Sequence, residues 1–317
     1  MPANLKKSLS EIYERCQSLE GGAVADYIPE LARVDPRLFA IAAVTTDGRL
    51  FELGDSDAAF TIQSTAKPFA YAAALREFGL ESVLARVGVE PTGDDFNSIS
   101  RLDRSKRPMN PMVNAGAISV CSMLHSAYGD TGEARLLEFF SDFAGEQLAV
   151  DSVTYASEME TTDGNRAIVY LLNKFRNLQA PPQAALDLYI KMCSIQTTVR
   201  GLATMGATLA NQGMHPVRKR RVLEAAHVRD VLSVMLSCGM YNYAGQWVFD
   251  VGLPAKSGVS GAVLMIVPGV MAVCVYSPPL DGSGTSVRGI AACKELSQRH
   301  RLHLLDQTDL SIGEIND

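Results

Sequence analysis

The chain has 317 residues, of which 47% are hydrophobic and 20% are charged, so it can build one large domain or two modest ones. Its formal net charge of −6 gives no general electrostatic reason to approach nucleic acid or an anionic membrane. One basic run at 218–221 stands against this background, and we interpret it as a solvated loop or a subunit contact, because phosphate binding usually needs a wider basic face. Composition therefore favours a globular protein that has neither nucleic acid nor a membrane as its partner.

The cysteines and the hydropathy pattern indicate the compartment. The six cysteines are scattered, with no C-x-x-C pair and mostly apolar neighbours, which is typical of small buried side chains in a reducing compartment. Residues 1–17 contain no apolar segment of the secretory type. The longest apolar stretch, 261–276, is interrupted at Pro268 and is too short to span a bilayer. We therefore expect a cytoplasmic protein.

Taken in chain order, the patterns predict a helix, a hairpin, a long helical block, a second hairpin and a final helix. Helical spacing over about 5–19 is followed by two β-rich runs at 38–45 and 49–53, joined across Asp47-Gly48, a strong hairpin signal. Helical patterns then dominate about 65–240, with few strand signals: 65–78, 115–127, 132–144, 166–175, 181–193, 199–212 and 226–237. A second β pair at 262–267 and 270–276 turns at Pro268-Gly269, and the last helix covers about 286–299.

This order predicts an α/β fold in which an antiparallel sheet is flanked by the two terminal helices and carries an inserted all-helical subdomain. We expect residues 1–317 to form a single domain, with the α/β part at about 1–63 and 241–317 and the helical part at about 64–240. The first and last thirds would pair in space and leave a cleft against the helical block. Ser64 lies at one crossing between the two parts, and Lys256 lies near the other.

The motif that carries chemistry is Ser64-Thr65-Ala66-Lys67, where a strand-like run gives way to a helix. Positions i and i+3 of a helix share a face, and a buried lysine with a lowered pKa can take the proton of a serine hydroxyl. A second element, Lys256-Ser257-Gly258, precedes an apolar strand-like run. S-x-x-K followed by K-[ST]-G is typical of the serine β-lactamase and penicillin-binding-protein superfamily, so the pair predicts a Ser/Lys acyl-transfer enzyme. The alternative is that Ser64 only caps a helix.

The flanks of these motifs make the resemblance more specific. The chain resembles the serine-dependent glutaminase family, in its compact bacterial form, from about Tyr27 to the final helix. The motifs that carry the resemblance, in their expected order, are Gln63-Ser64-Thr65-Ala66-Lys67-Pro68-Phe69, Pro108-Met109-Asn110-Pro111-Met112-Val113-Asn114-Ala115-Gly116-Ala117-Ile118, Met240-Tyr241, Gly252-Leu253-Pro254-Ala255-Lys256-Ser257-Gly258-Val259 and Ser277-Pro278-Pro279-Leu280-Asp281.

The resemblance implies hydrolysis of L-glutamine to L-glutamate and ammonia through an acyl-enzyme, on a fold similar to serine β-lactamases. The resemblance implies no metal or organic cofactor. It also implies a homo-oligomer, either a dimer or a tetramer. The catalytic positions fall on Ser64 as nucleophile, Lys67 as base and Tyr241 as a proton relay toward departing ammonia. The substrate-binding positions fall on Ser64, Asn114, Glu158, Asn165, Tyr189, Tyr241 and Val259, with Tyr27 as an addition. Ser260 and Ala262 stand where many family members have glycine, and Thr285 stands where asparagine is common. The loop near Val259 is therefore expected to differ in detail from the family pattern.

The chemistry of glutamine explains the residue types. Glu158 is the natural partner of the α-ammonium, and the amides of Asn114 and Asn165 and the hydroxyl of Tyr189 can donate to the α-carboxylate or the reacting amide. The alternative places Glu158 on a helix surface, in an acidic run, and makes the tyrosines packing residues. Backbone N–H groups of Ser64 and Val259 are expected to form the oxyanion hole, and Lys256 to set a local positive potential.

Two other functions stay open at this point. Another Ser/Lys amidohydrolase or a β-lactam-binding enzyme is disfavoured by the expected cytoplasmic location and by the lack of a Ser-Asp-Asn element. A non-catalytic amino-acid sensor that uses the same cleft is disfavoured by the intact Ser64, Lys67 and Tyr241.

Overall fold

The structure is a computed structural model that describes residues 2–93 and 102–306. Within these ranges the helices are α1 (Pro2–Gln17), α2 (Pro29–Ala32), α3 (Lys67–Leu84), α4 (Asn114–Tyr128), α5 (Gly132–Ala144), α6 (Ser152–Thr161), α7 (Asp163–Lys174), α8 (Pro182–Cys193), α9 (Val199–Ala210), α10 (Ala225–Cys238), α11 (Ala244–Asp250) and α12 (Val287–His300). The strands are β1 (Ala40–Thr45), β2 (Leu50–Gly54), β3 (Phe60–Thr61), β4 (Ala149–Val150), β5 (Ile195–Thr197), β6 (Ala255–Ser257), β7 (Ala262–Val267) and β8 (Met271–Tyr276).

The main sheet joins the two ends of the chain, as the sequence predicts. Its five strands are antiparallel in the order β2-β1-β8-β7-β6, and Ala40 of β1 lies opposite Tyr276 of β8. The two predicted hairpins are confirmed. Their turns contain Gly48 at φ +93° and Gly269 at φ +75°, a backbone region that favours glycine.

The sheet lies between two helical layers, because successive side chains of a strand point to opposite faces. Ile41 of β1 belongs to a core cluster with Ile12 of α1 and Leu296 of α12. Its neighbour Ala42 belongs to the other cluster, with Leu202 of α9 and the helices behind it. Both faces are covered, which explains why β1, β7 and β8 are buried along their whole length. The fold is the expected mixed α/β architecture.

Several short elements were not predicted. A second sheet, in the order β3-β5-β4, places two strands inside the part of the chain that was expected to be all helical. Strands of two or three residues are too short to show an alternating pattern, and their pairing depends on residues far apart in the chain. Helices α2, α6 and α11 and strand β6 were missed as well. Helix α3 continues to Leu84 beyond the predicted end at Phe78, and Gly79 interrupts it there with φ +75°.

Candidate active site

A cleft of about 210 Å³ lies where α6, α7 and α8 face the start of α3 and the end of β6. This is below the range of drug-sized pockets and suits one small metabolite. Seven of the residues predicted to form the site line it: Tyr27, Ser64, Asn114, Glu158, Asn165, Tyr189 and Val259. Lys67 and Tyr241 lie directly behind this lining and contact it by hydrogen bonds.

Ser64 lies in a 3₁₀ turn, Gln63–Ala66, that leads into α3. The residue at the N-cap of α3 is Ala66, and no side chain caps this helix, so the alternative that Ser64 only caps it is wrong. The backbone N–H of Lys67 donates to the carbonyl of Ser64, which places both residues on consecutive turns of one segment. Gln63 has φ +47°, a conformation that is uncommon for a residue with a side chain and is often found at functional sites.

Lys67 follows Ser64 by three residues, and its amine is buried. Its side chain is 1% exposed, and its Nζ donates to Oδ1 of Asn114 at 2.6 Å and lies 3.2 Å from Oη of Tyr241. Burial lowers the pKa of Lys67 from its ordinary 10.5 to about 8, and the nearby Cys193 and Glu158 oppose this shift. A substantial fraction of Lys67 is therefore a neutral amine at slightly alkaline pH, the form that accepts a proton.

Tyr241 connects Ser64 to Lys67. Its side chain is hydrogen-bonded to Ser64 and its Oη also contacts Nζ of Lys67, so the three polar groups form one chain. Burial raises the pKa of Tyr241, which keeps the phenol protonated in the resting enzyme. Its backbone lies at φ +54° in a 3₁₀ turn between α10 and α11. The contacts allow a proton to move between Ser64 and Lys67 through the Tyr241 hydroxyl.

Glu158 lies in α6 and is 7% exposed, which contradicts the alternative of a surface residue. Nε2 of Gln63 donates to its Oε2 at 3.2 Å. Burial raises the pKa of Glu158 from 4.5 to about 7, whereas the Gln63 hydrogen bond and the charge of Lys67 lower it. A buried carboxylate of this kind gains from a cationic ligand, because the ligand supplies the missing counter-charge.

Amides line the wall between these groups. Nδ2 of Asn114 donates to Oδ1 of Asn165 at 2.9 Å, and Nδ2 of Asn165 donates to Oγ1 of Thr162 at 2.8 Å. Tyr189 is buried on α8, and its hydroxyl is hydrogen-bonded to the thiol of Cys193. Amide and hydroxyl groups in this position can donate to a carboxylate or to a substrate amide.

Val259 follows β6 and is brought close to the Ser64 turn. A Cβ on the preceding Gly258 would lie 3.1 Å from the carbonyl of Ile62 and 3.2 Å from Cγ2 of Thr65. A side chain at position 258 would require the Ser64 turn to give way by a few tenths of an ångström, so glycine suits this close approach. Val259 and Ser64 both line the cleft, as an oxyanion hole formed by their backbone N–H groups requires.

Other residues of the cleft were missed by the sequence analysis. They are Gln63, Thr161, Thr162, Gly164 and Ile168. Gln63 holds Glu158, and its position directly before Ser64 was the available signal. The other four lie between the end of α6 and the middle of α7 and became recognisable only when the fold placed this segment at the cleft.

Lys256 differs from the expectation. Its side chain is fully buried, and burial together with the charge of Lys67 lowers its pKa well below the ordinary value. This weakens the interpretation of Lys256 as a source of positive potential for the substrate.

The basic run at 218–221 is exposed, and each of its four side chains has a partner within the protein. Arg218, Lys219 and Arg221 donate to backbone carbonyls, and Arg220 pairs with Asp142. This agrees with the interpretation as a surface loop. In the described part of the chain, no cluster of three or more His, Cys, Asp or Glu side chains is arranged to hold a metal ion, and no helix is long and apolar enough to cross a membrane.

The antiparallel sheet, its two terminal helices and a Ser-x-x-Lys turn at the junction with the helical block define the class: an enzyme of the serine β-lactamase-like fold. Within that class, the chain belongs to the glutaminase family, since the family model described as Glutaminase matches residues 22–305.

Individual glutaminases are similar to this chain over almost its whole length. A glutaminase of Nostoc sp. is 45% identical over 313 residues, covering 99% of this chain and 94% of the relative. A glutaminase of Microcystis aeruginosa is 42% identical and covers 94% of this chain and 88% of the relative. Among solved structures, the probable glutaminase ybaS has a TM-score of 0.91 at 39% identity, covering 94% of this chain and 97% of that chain. The structure of Mglu in its native form has a TM-score of 0.92 at 44% identity, covering 96% of this chain and 74% of that chain.

The chain is therefore a glutaminase, an enzyme that hydrolyses L-glutamine to L-glutamate and ammonia. Another Ser/Lys amidohydrolase, a β-lactam-binding enzyme and a non-catalytic sensor are not favoured.

Proposed function

We propose that the chain hydrolyses L-glutamine through a γ-glutamyl ester on Ser64. The observation that carries this proposal is the hydrogen-bonded chain of Ser64, Tyr241 and Lys67 at the base of a cleft that suits one amino acid. A serine hydroxyl needs a base to become a nucleophile, and Lys67, with a pKa lowered to about 8, is suited to that task.

In the first half-reaction, Oγ of Ser64 bonds to the side-chain amide carbon of glutamine. The Ser64 proton passes to Oη of Tyr241 while the Tyr241 proton passes to Nζ of Lys67, so no free tyrosinate is formed. The backbone N–H groups of Ser64 and Val259 donate to the oxyanion, at about 3–4 kcal/mol for each donor. The carbon–nitrogen bond then breaks, and the proton returns from Lys67 through Tyr241 to the leaving nitrogen, which departs as ammonia.

In the second half-reaction, water takes the place of the departed ammonia and gives a proton to the same relay, again in the direction of Lys67. Its proton passes toward Lys67, its oxygen bonds to the acyl carbon, and the ester bond to Ser64 breaks as Oγ recovers a proton. Glutamate is released and Lys67 returns to the neutral form. The relay through Tyr241 extends the sequence-based expectation, in which Tyr241 served only the leaving group.

The amino-acid end of the substrate is held at the other side of the cleft. Glu158 binds the α-ammonium, while Asn114, Asn165 and the hydroxyl of Tyr189 donate to the α-carboxylate or the reacting amide. Tyr27, which is 47% exposed, lies at the mouth of the cleft. The distance between Glu158 and Ser64 then selects the length of the substrate side chain.

Substrate choice tests this arrangement. L-Asparagine is one methylene shorter, so its amide cannot reach Ser64 while its ammonium stays on Glu158, and misplacement on the scale of 1 Å costs about 100-fold in rate. We expect kcat/KM for ammonia release from L-glutamine to exceed that from L-asparagine by at least about 100-fold. Purified protein is assayed with both amino acids and a chromogenic cephalosporin side by side. Equal rates on the two amino acids, or fast cephalosporin cleavage, would show that the cleft is used differently.

Further proposals concern the whole chain and rest on the resemblance and the cysteines. We propose that residues 1–317 form a single domain, that the protein assembles as a homo-oligomer, a dimer or tetramer, and that it works in the cytoplasm. All six cysteines are free and buried, which suits a reducing compartment. Light scattering of the purified protein measures the number of subunits.

A further inference from the structure

Lys256 is a buried lysine that the proposed mechanism does not use. It lies at the centre of β6 opposite Leu264 of β7, on the sheet face that packs against the helical block, and its side chain is 0% exposed. It is not one of the residues that line the cleft. A fully buried lysine is rare because taking its charge out of water is costly, so its contacts have to account for its presence.

Two of the three contacts of the Lys256 amine are with the turn that carries Tyr241. Nζ donates to the carbonyl of Gly239 and to the carbonyl of Ser257, each at 2.8 Å. The same Nζ lies 3.7 Å from the centroid of the Tyr241 ring, in direct contact with one face of the ring. The two carbonyls accept from the two N–H groups that a neutral amine carries. Among the ion pairs of the described residues, none includes Lys256, so the ring and the two carbonyls are its partners.

The turn that carries Tyr241 needs such a support. Gly239 ends α10 so close to β6 that a Cβ there would lie 1.8 Å from the carbonyl of Ala255. Two residues later Tyr241 has φ +54°, a conformation that costs an L-residue about 1–2 kcal/mol and persists only when the surroundings hold it. The Lys256 side chain binds the first residue of this turn and covers the ring of the last one.

We propose that Lys256 is a positioning residue for Tyr241: it ties the turn 239–241 to β6 and supports the Tyr241 ring from one face, so that Oη stays between Ser64 and Lys67. This inference rests on the proposed relay through Tyr241. The amine of Lys256 acts on the ring and the backbone and does not touch the substrate.

A double-mutant cycle tests the proposal, with wild type, Lys256→Met, Tyr241→Phe and the double variant compared by kcat and KM for ammonia release. Methionine fills similar space without the amine. We expect Lys256→Met to lower kcat about 10- to 100-fold and to change KM by less than about threefold, because the groups that bind the amino-acid end are untouched. The double variant should be no more than about threefold slower than Tyr241→Phe, because Lys256 acts through the hydroxyl that this variant lacks.

The control is Lys294→Met on α12, which removes a lysine paired with Asp250 away from the cleft and should leave kcat and KM at wild-type values. Thermal unfolding of every variant separates a lost fold from lost positioning. Wild-type kcat in Lys256→Met, or effects of the two substitutions that multiply in the double variant, would overturn the proposal. Wild-type kcat in Tyr241→Phe would instead overturn the relay and with it the basis of this inference.

If Lys256→Met does not fold, Lys256→Gln replaces it. The amide keeps a donor for the Gly239 carbonyl but supplies no amine above the ring, so the same loss of kcat at nearly constant KM is expected. A Lys256→Gln protein with wild-type kcat would overturn the proposal.

Discussion

Ser64→Ala is expected to lower kcat for ammonia release from L-glutamine by about 10⁴-fold or more, since removal of a catalytic serine leaves only the contributions of binding and the oxyanion hole. The fold should be unaffected, because the Ser64 side chain does not cap α3 and its hydroxyl contacts Tyr241 at the surface of the cleft. Single-turnover and steady-state assays of purified variant and wild type measure the loss, and thermal unfolding checks the fold.

Lys67→Met belongs to the same prediction. Methionine fills the buried space but cannot accept a proton, so kcat should fall to a similar degree. Because Ser64 and Lys67 act as one unit, the double variant should be scarcely slower than either single variant. A folded Ser64→Ala protein that keeps near wild-type ammonia release would eliminate Ser64 as the nucleophile.

The second large effect is expected for Glu158→Gln. The substitution keeps the shape and removes the charge that holds the α-ammonium, which costs about 2–4 kcal/mol in a desolvated site, or roughly 30-fold to several hundredfold in kcat/KM. Glu160→Gln is the matched control, because Glu160 lies in the same acidic run of α6 but is exposed. Its kcat/KM should stay within about twofold of wild type. Equal kcat/KM for Glu158→Gln and wild type would remove Glu158 from the substrate site.

The pH profile of the same variant gives an independent readout. Glu158 has a pKa raised to about 7 and must be ionised to hold an ammonium, so binding strengthens as pH rises through about 7. Lys67 has a pKa lowered to about 8 and must be neutral to accept a proton, so turnover rises as pH passes about 8. The kcat/KM of wild type should therefore rise between about pH 6 and 9, and Glu158→Gln should keep only the upper component. A wild-type profile that falls over this range would contradict both assignments.

The parts of the fold that could be predicted are those written in local sequence. The Asp47-Gly48 turn and the long apolar runs of β7 and β8 fix two hairpins without reference to the rest of the chain. Strand β5 has three residues, and it exists because it pairs with Phe60 and Val150, which are distant in the chain. No pattern within such a short segment carries that information.

The same distinction holds for the site. The spacing of Ser64 and Lys67 predicts their proximity, because one turn of helix joins them. Glu158 and Tyr241 come from elements far along the chain, so the residues alone favoured a surface position for the first and a packing role for the second, and only the family resemblance placed both in the cleft. The relay through Tyr241 and the support by Lys256 depend on distances that no spacing encodes.

The central claim is that a γ-glutamyl enzyme forms during turnover, and partitioning of that intermediate with hydroxylamine tests it most directly. Hydroxylamine competes with water for an acyl-enzyme after ammonia has left. The measurement compares ammonia, glutamate and γ-glutamyl hydroxamate released from L-glutamine at increasing hydroxylamine concentration. A covalent intermediate predicts that hydroxamate grows at the expense of glutamate while their sum stays equal to ammonia. Glutamate equal to ammonia at every hydroxylamine concentration, with no hydroxamate formed, would contradict the acyl-enzyme.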